Sequence, residues 1–182
     1  MLKRELTRFI FKYVLGYAFQ PARRNRRGEI VLAKGKLINW IVYIAFLIAV
    51  MAFVLFYMNE EDSDEWIYNL VNLGAASIFL GVCSFMLALS KTVVNEQTVT
   101  AHRWYGKKSI SFSDVHTISF TRFFGGCFVL KGEKKTVWVP LENVGSAEFV
   151  ELLCKRLGTE RCTVAVEALN NRRKQLSQLF QG

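Results

Sequence analysis

The sequence predicts an α+β chain: a two-helix transmembrane hairpin followed by a small antiparallel β domain with a C-terminal helix. Three observations carry that expectation. Two uncharged apolar runs of membrane-spanning length lie close together in the first half. After the second run the pattern changes to short period-two segments punctuated by glycines, the signature of antiparallel strands. Near the end, a stretch with helical apolar spacing is framed by Ser146 and Gly158. With 52% hydrophobic residues among 182 and a formal net charge of +9, the chain is too apolar to be disordered, and its charge is concentrated in the flanks of the apolar runs.

The first run, Leu37 to Met58, contains no charged residue, and Trp40 and Tyr57 lie near its ends, where an aromatic belt is expected. The second, Trp66 to Ser90, is equally uncharged. Small residues recur in it at Gly74, Ser77, Gly81, Ser84 and Ala88, and in the first run at Ala45, Ala49 and Ala52. Such seams let backbones approach closely in lipid, so these residues serve either to pack the hairpin on itself or to dock it on another membrane subunit. The connecting segment 59–65 has five acidic residues and no Lys or Arg, whereas ten Lys or Arg precede the first run. The excess of basic residues on the outer flanks places both termini in the cytoplasm and the loop outside a cytoplasmic (inner) membrane.

Residues 1–36 read as a basic amphipathic arm and linker. Leu2, Leu6, Phe9, Ile10, Tyr13 and Tyr17 follow helical spacing, with Lys3, Arg4, Arg8 and Lys12 largely off that stripe. Such an arm suits the plane of an anionic inner leaflet. After Pro21, the cluster Arg23, Arg24, Arg26 and Arg27 reads as a charged linker in contact with phospholipid; no nucleic-acid-binding module accompanies it.

The segment 91–158 reads as about six strands: Lys91–Val94, Thr98–Trp104, Ser109–Phe112, Val115–Thr121, Cys127–Lys131 and Lys135–Val139, joined by turns at Gly106, Gly125-Gly126 and Gly132. The helix that follows has Ser146 as N-cap and Gly158 as stop. A more polar helical tail, 159–182, serves as a partner-binding element or a loosely attached surface helix. The stretch "VVNEQTVTAHRWYGKKSISFSDVHTISF…FVLKGEKKTVWVPLENVGSAEFVELLCKRLG", with the helical hairpin in front of it, resembles bacterial PH-like domain membrane proteins of the YcxB-like group. The resemblance implies a cytoplasmic PH-like domain: a barrel-like sheet of two packed halves capped by the helix. It implies no activity.

No catalytic constellation is legible. His102 and His116 lack acidic neighbours at ligand spacing, Asp114 reads as a turn residue, and Gly125-Gly126 is not followed by the residues of a phosphate loop. None of Cys83, Cys127, Cys154 and Cys162 is spaced as a zinc pair. Metal, cofactor and nucleic acid are therefore not expected, nor is enzymatic activity. What remains is contact chemistry. Lys107, Lys108, Lys131, Lys134 and Lys135 cluster in two hairpin turns that make one basic patch if they share an end of the sheet. Trp104, Tyr105, Trp138, Phe123 and Phe124 supply an aromatic contact surface, the last two beside a double glycine. The expectation is a membrane-anchored interaction or scaffold protein that recruits or regulates a partner at the inner face of the membrane, touching anionic lipid and another protein or a second copy of itself. The alternative is an accessory subunit of a transport, secretion or envelope-assembly complex that docks through its helices.

Overall fold

A computed structural model describes residues 16–58 and 64–181, which form two compact units: residues 36–89, and the segments flanking them. The first unit is a pair of helices, α1 (Lys36–Met58) and α2 (Asp64–Leu89). Both are long and apolar enough to cross a membrane. Phe46 and Phe53, seven residues apart on α1, lie over Gly81 and Gly74, seven apart on α2. A Cβ on Gly81 would stand 3.0 Å from the Phe46 ring, and one on Gly74 3.3 Å from Phe53. A repeat of seven running in opposite directions on two helices is the packing of an antiparallel pair, with large side chains set into a seam of small ones. At the other end of the pair Phe56 stacks on Trp66, whose indole N–H donates to the Phe56 carbonyl at 3.3 Å.

The second unit is α+β. Five antiparallel strands lie in chain order: β1 (Arg23–Arg24), β2 (Ile30–Ala33), β3 (Lys91–Val94), β4 (Thr98–Arg103) and β5 (Gly106–Ser111). A second sheet holds β6 (Thr117–Thr121), β7 (Cys127–Lys131) and β8 (Thr136–Pro140). Helices α3 (Ser146–Leu157) and α4 (Thr163–Gln181) follow. Alternation decides what is buried. Leu32, Val94 and Val99 from the first sheet, Phe128, Leu130 and Val139 from the second, and Phe149 and Leu153 of α3 share one core, with Phe128 and Phe149 rings 6.3 Å apart.

Four sequence expectations are corrected. The basic segment read as a linker is instead a β-hairpin. Asn25 Oδ1 accepts the Arg27 and Glu29 amides, Gly28 takes φ +77°, and β2 then pairs with β3, Ala33 opposite Lys91. The α+β unit therefore does not begin at residue 91: its sheet is interrupted, between two paired strands, by the whole helical hairpin. Ser146 is not an N-cap but the first residue of α3, its hydroxyl buried and donating to the Asn143 carbonyl at 2.9 Å. The cap position belongs to Gly145 at φ +85°, where a Cβ would meet the Ala22 backbone at 2.6 Å. Finally, the first half of α4 is no loose tail: Ala165 and Ala168 enter the core, as does Cys162 just before the helix. Further along α4 the Arg172 guanidinium donates to the Gly125 carbonyl at 2.6 Å, and Arg173 stands over the Phe19 ring at 5.3 Å.

Candidate functional site

The ladders define two ends of the α+β unit. At one end the chain leaves β2 after Ala33 and returns at Lys91, and the β4–β5 turn carries Trp104 and Tyr105. At the other lie the β1–β2 turn, the β3–β4 turn at Asn95–Gln97, and the start of the 3-10 turn Phe112–Asp114, whose Phe112 amide donates to the Gln97 carbonyl at 2.9 Å.

The first end gathers side chains from both sheets. Lys91, His102 and Lys107 are direct neighbours across β3, β4 and β5. Both lysines and partial burial act on the imidazole: desolvation first, then Lys107, then Lys91 push the His102 pKa below its usual value. Trp104 and Tyr105 meet edge to face with centroids 5.5 Å apart. Arg103 donates to the Trp138 carbonyl at 2.8 Å, which ties the outer face of β8 to this end. The turn holding Phe123 joins through Gly126, whose carbonyl accepts the Leu141 amide at 2.8 Å. Next to it Glu142 pairs with Lys34 at 3.4 Å, and the Val144 amide reaches the Ala33 carbonyl at 2.9 Å. The buried Cys127 thiol lies among these groups: desolvation raises its pKa, Arg103 and Lys34 lower it, and Glu142 raises it. Trp104, Tyr105, Phe123 and Trp138 are 53%, 62%, 65% and 47% exposed, and among the described residues they are the exposed large aromatics of this unit.

The opposite end holds a groove of about 750 Å³ between the β1–β2 turn, the β3–β4 turn and α3. Its lining carries both signs, with Arg24, Arg27 and Arg156 alongside Glu96, Glu148 and Glu151. Glu148 is already engaged, bonded to Arg24 and accepting the Ala22 amide at 3.1 Å. At the C-terminal edge of α3, burial first and then the neighbouring Cys154 thiol push the Cys162 pKa up to about 12, so that sulfur is held as a thiol.

The predicted contact residues are thus divided. Lys107 and Lys108 open β5 at the first end, beside Trp104. Lys134 and Lys135 lie in the Gly132 turn at the other end, where a Cβ on Gly132 would meet the Asp114 carbonyl at 2.6 Å. The two lysine turns therefore do not form one basic patch: connections between consecutive antiparallel strands alternate ends, and the β4–β5 and β7–β8 turns are three connections apart. Arg26 and Arg27 also sit at that second end, in the β1–β2 turn. Of the small seam, Gly74 and Gly81 receive Phe53 and Phe46, and Ser77 is buried with its hydroxyl returned to the Leu73 carbonyl at 2.8 Å. Ala45, Ala49, Ala52 and Ser84 are half-buried, and Ala88 is exposed. Lys3, Arg4, Arg8 and Lys12, most of the acidic loop, and the Phe124 side chain lie outside the described residues. The Lys91–His102–Lys107 row is what residue reasoning missed. It was latent in the strand assignments, and needed only the register.

Among the described residues, no group of three or more His, Cys, Asp or Glu is arranged to hold a metal ion. Comparison with known protein families, with curated proteins and with solved structures finds no match.

Proposed function

We propose that this chain is a non-enzymatic, membrane-anchored interaction protein, whose PH-like α+β domain lies in the cytoplasm and recruits or regulates a partner at the inner face of the cytoplasmic membrane. One observation carries the reading: a pair of long apolar helices is inserted between β2 and β3, strands paired from Ile30↔Val94 to Ala33↔Lys91. The domain is thereby held by two covalent tethers, and the helical pair starts and finishes on the domain's side of the bilayer, with the 59–65 loop on the other. The basic flanks and the acidic 59–65 loop make that side the cytoplasmic one. Four consecutive strands from β2, three more in a second sheet and a closing helix agree with the barrel-like arrangement the resemblance implies. The mixed-charge groove is the surface we assign to the partner: acids and bases lining one groove favour a peptide segment that carries both signs over a uniformly basic or acidic one. The reading as an accessory subunit docked through its helices is less favoured, because Phe46 and Phe53 already occupy the seam at Gly81 and Gly74.

The test is site-specific photo-crosslinking in native membranes. A photoreactive residue at Gln97 or Glu151 in the groove is expected to give one discrete protein adduct, and one at Lys135 none. Equal, diffuse adducts from all three positions, or none from any, would overturn the assignment.

A further inference from the structure

Of the exposed large aromatics among the described residues of the α+β unit, Trp104, Tyr105 and Phe123 stand at the end where the chain passes into and out of the apolar helices, and Trp138, midway along β8, is tied to that end by Arg103. Trp104 and Tyr105 sit on the turn next to the Lys91–His102–Lys107 row. Trp138 is joined to that turn by Arg103, and Phe123 is joined to Lys34 and Ala33 through Gly126, Leu141 and Glu142. Only Lys34 and Gly35 separate β2 from α1, and only Ser90 separates α2 from β3. Even fully extended, the longer of these linkers spans about 10 Å from strand end to helix start. If the helices cross a bilayer, this end of the domain is confined to within a linker's reach of its surface.

Indole and phenol rings with an apolar body and a polar edge are the side chains that partition into the headgroup layer. Lysines beside them add attraction to an anionic leaflet. Lys91 and Lys107 flank His102 on either side of β4, which sets two positive charges on neighbouring strands of one end, and an anion placed between them is attracted by both. The opposite end carries no such aromatics among the described residues, although it is also rich in arginine and lysine.

We infer that this end of the α+β unit is a membrane-docking rim, in which Trp104, Tyr105, Phe123 and Trp138 enter the headgroup layer and Lys91 and Lys107 bind its anionic phosphates. The inference rests on the membrane-anchored reading and extends it: the domain does not swing free on its tethers but is seated on the lipid, which points the groove toward the cytoplasm. It also takes the aromatic surface away from a protein partner.

The experiment uses the full chain reconstituted in vesicles of equal parts phosphatidylcholine and phosphatidylglycerol. Variants retain one tryptophan each: Trp40, Trp104 or Trp138. Fluorescence is quenched either by lipids brominated near the headgroup end or near the terminal methyl of the acyl chain, or by aqueous iodide. Trp104 and Trp138 are expected to be quenched by the shallow bromolipid more than by the deep one, and only weakly by iodide. Changing Lys91 or Lys107 to Gln should lower the docked-to-free ratio about fivefold each in these vesicles, and much less in pure phosphatidylcholine. Iodide quenching of Trp104 without bromolipid quenching, while Trp40 is still quenched by bromolipid, overturns the rim but leaves the anchor intact. Shielding of Trp104 from both agents assigns the surface to protein and likewise overturns it. Failure of bromolipid to quench Trp40 removes the anchor itself, and the rim with it.

Discussion

The two units use the same side chains in opposite ways. In the α+β unit Leu32, Phe128 and Phe149 are fully buried, and strand alternation sets polar residues outward. In the helical pair Ile48, Met51, Ile78 and Phe79 are between 61% and 71% exposed, and no residue of α1 is buried. Water would not tolerate a continuous apolar surface of that kind on a folded unit; hydrocarbon would. The difference teaches where each unit gets its stability. One is held by the hydrophobic effect; on the membrane-anchored reading we propose, the other is held by close packing of phenyl rings on glycines and by internally satisfied backbone.

The comparison can be broken most forcefully at Phe149. Phe149→Ala should cost the α+β unit about 3–5 kcal/mol, read from hydrogen exchange of the slowest β7 amides in the full chain, because the cavity opens against Phe128. Phe79→Ala, an equal truncation on the outside of α2, should leave those amides unchanged. Next in size is Ile78→Arg, a charge near the middle of α2, which should disfavour membrane insertion by about 2.5–3.5 kcal/mol in a translocon assay while Ile78→Leu is silent. Gly81→Leu should follow, driving into Phe46 and costing the helical pair about 1–3 kcal/mol of thermal stability in micelles, without loss of β7 protection.

A smaller effect has the opposite sign. Thr92 is completely buried, with no hydrogen-bond partner for its hydroxyl among the described residues. Thr92→Val keeps the shape and removes the stranded polar atom, so exchange protection should rise by about 1 kcal/mol.

The smallest is a pH effect at His102. Its folded pKa lies below 6.5, so the unfolded chain takes up the proton more readily. Stability is unaffected above pH 6.5 and declines as pH falls from there through the folded value. In His102→Gln that decline is absent, as a comparison of unfolding against pH will show. Anionic vesicles should move the His102 pKa upward in an NMR titration, against the pull of Lys107 and Lys91.

What could be read in advance had local causes. The six strands β3 to β8, both later helices and the Gly158 stop follow from period, turn glycines and charge placement within a few residues. β1 and β2 did not, because a two-residue and a four-residue strand have too little alternation to register, and the partner of β2 lies beyond the entire helical pair. The Arg-rich hairpin looked like a linker for the same reason: its fold is decided by Asn25, Gly28 and a distant strand, not by its own composition. The split of the lysine turns between two ends is a matter of hairpin topology. The aromatic side chains were visible as residues, but their convergence depends on single contacts such as Arg103 to the Trp138 carbonyl.

The account stands most directly on which side of a bilayer each segment lies. Cys83 and Cys154 would be replaced by alanine, leaving Cys127 and Cys162 buried in the core. New cysteines at Glu60, Lys135 and Lys174 would then be exposed in turn to a membrane-impermeant maleimide in intact cells and in inverted vesicles. The account predicts labelling of position 60 only in intact cells and of positions 135 and 174 only in inverted vesicles. Labelling of all three positions from the same side would contradict it.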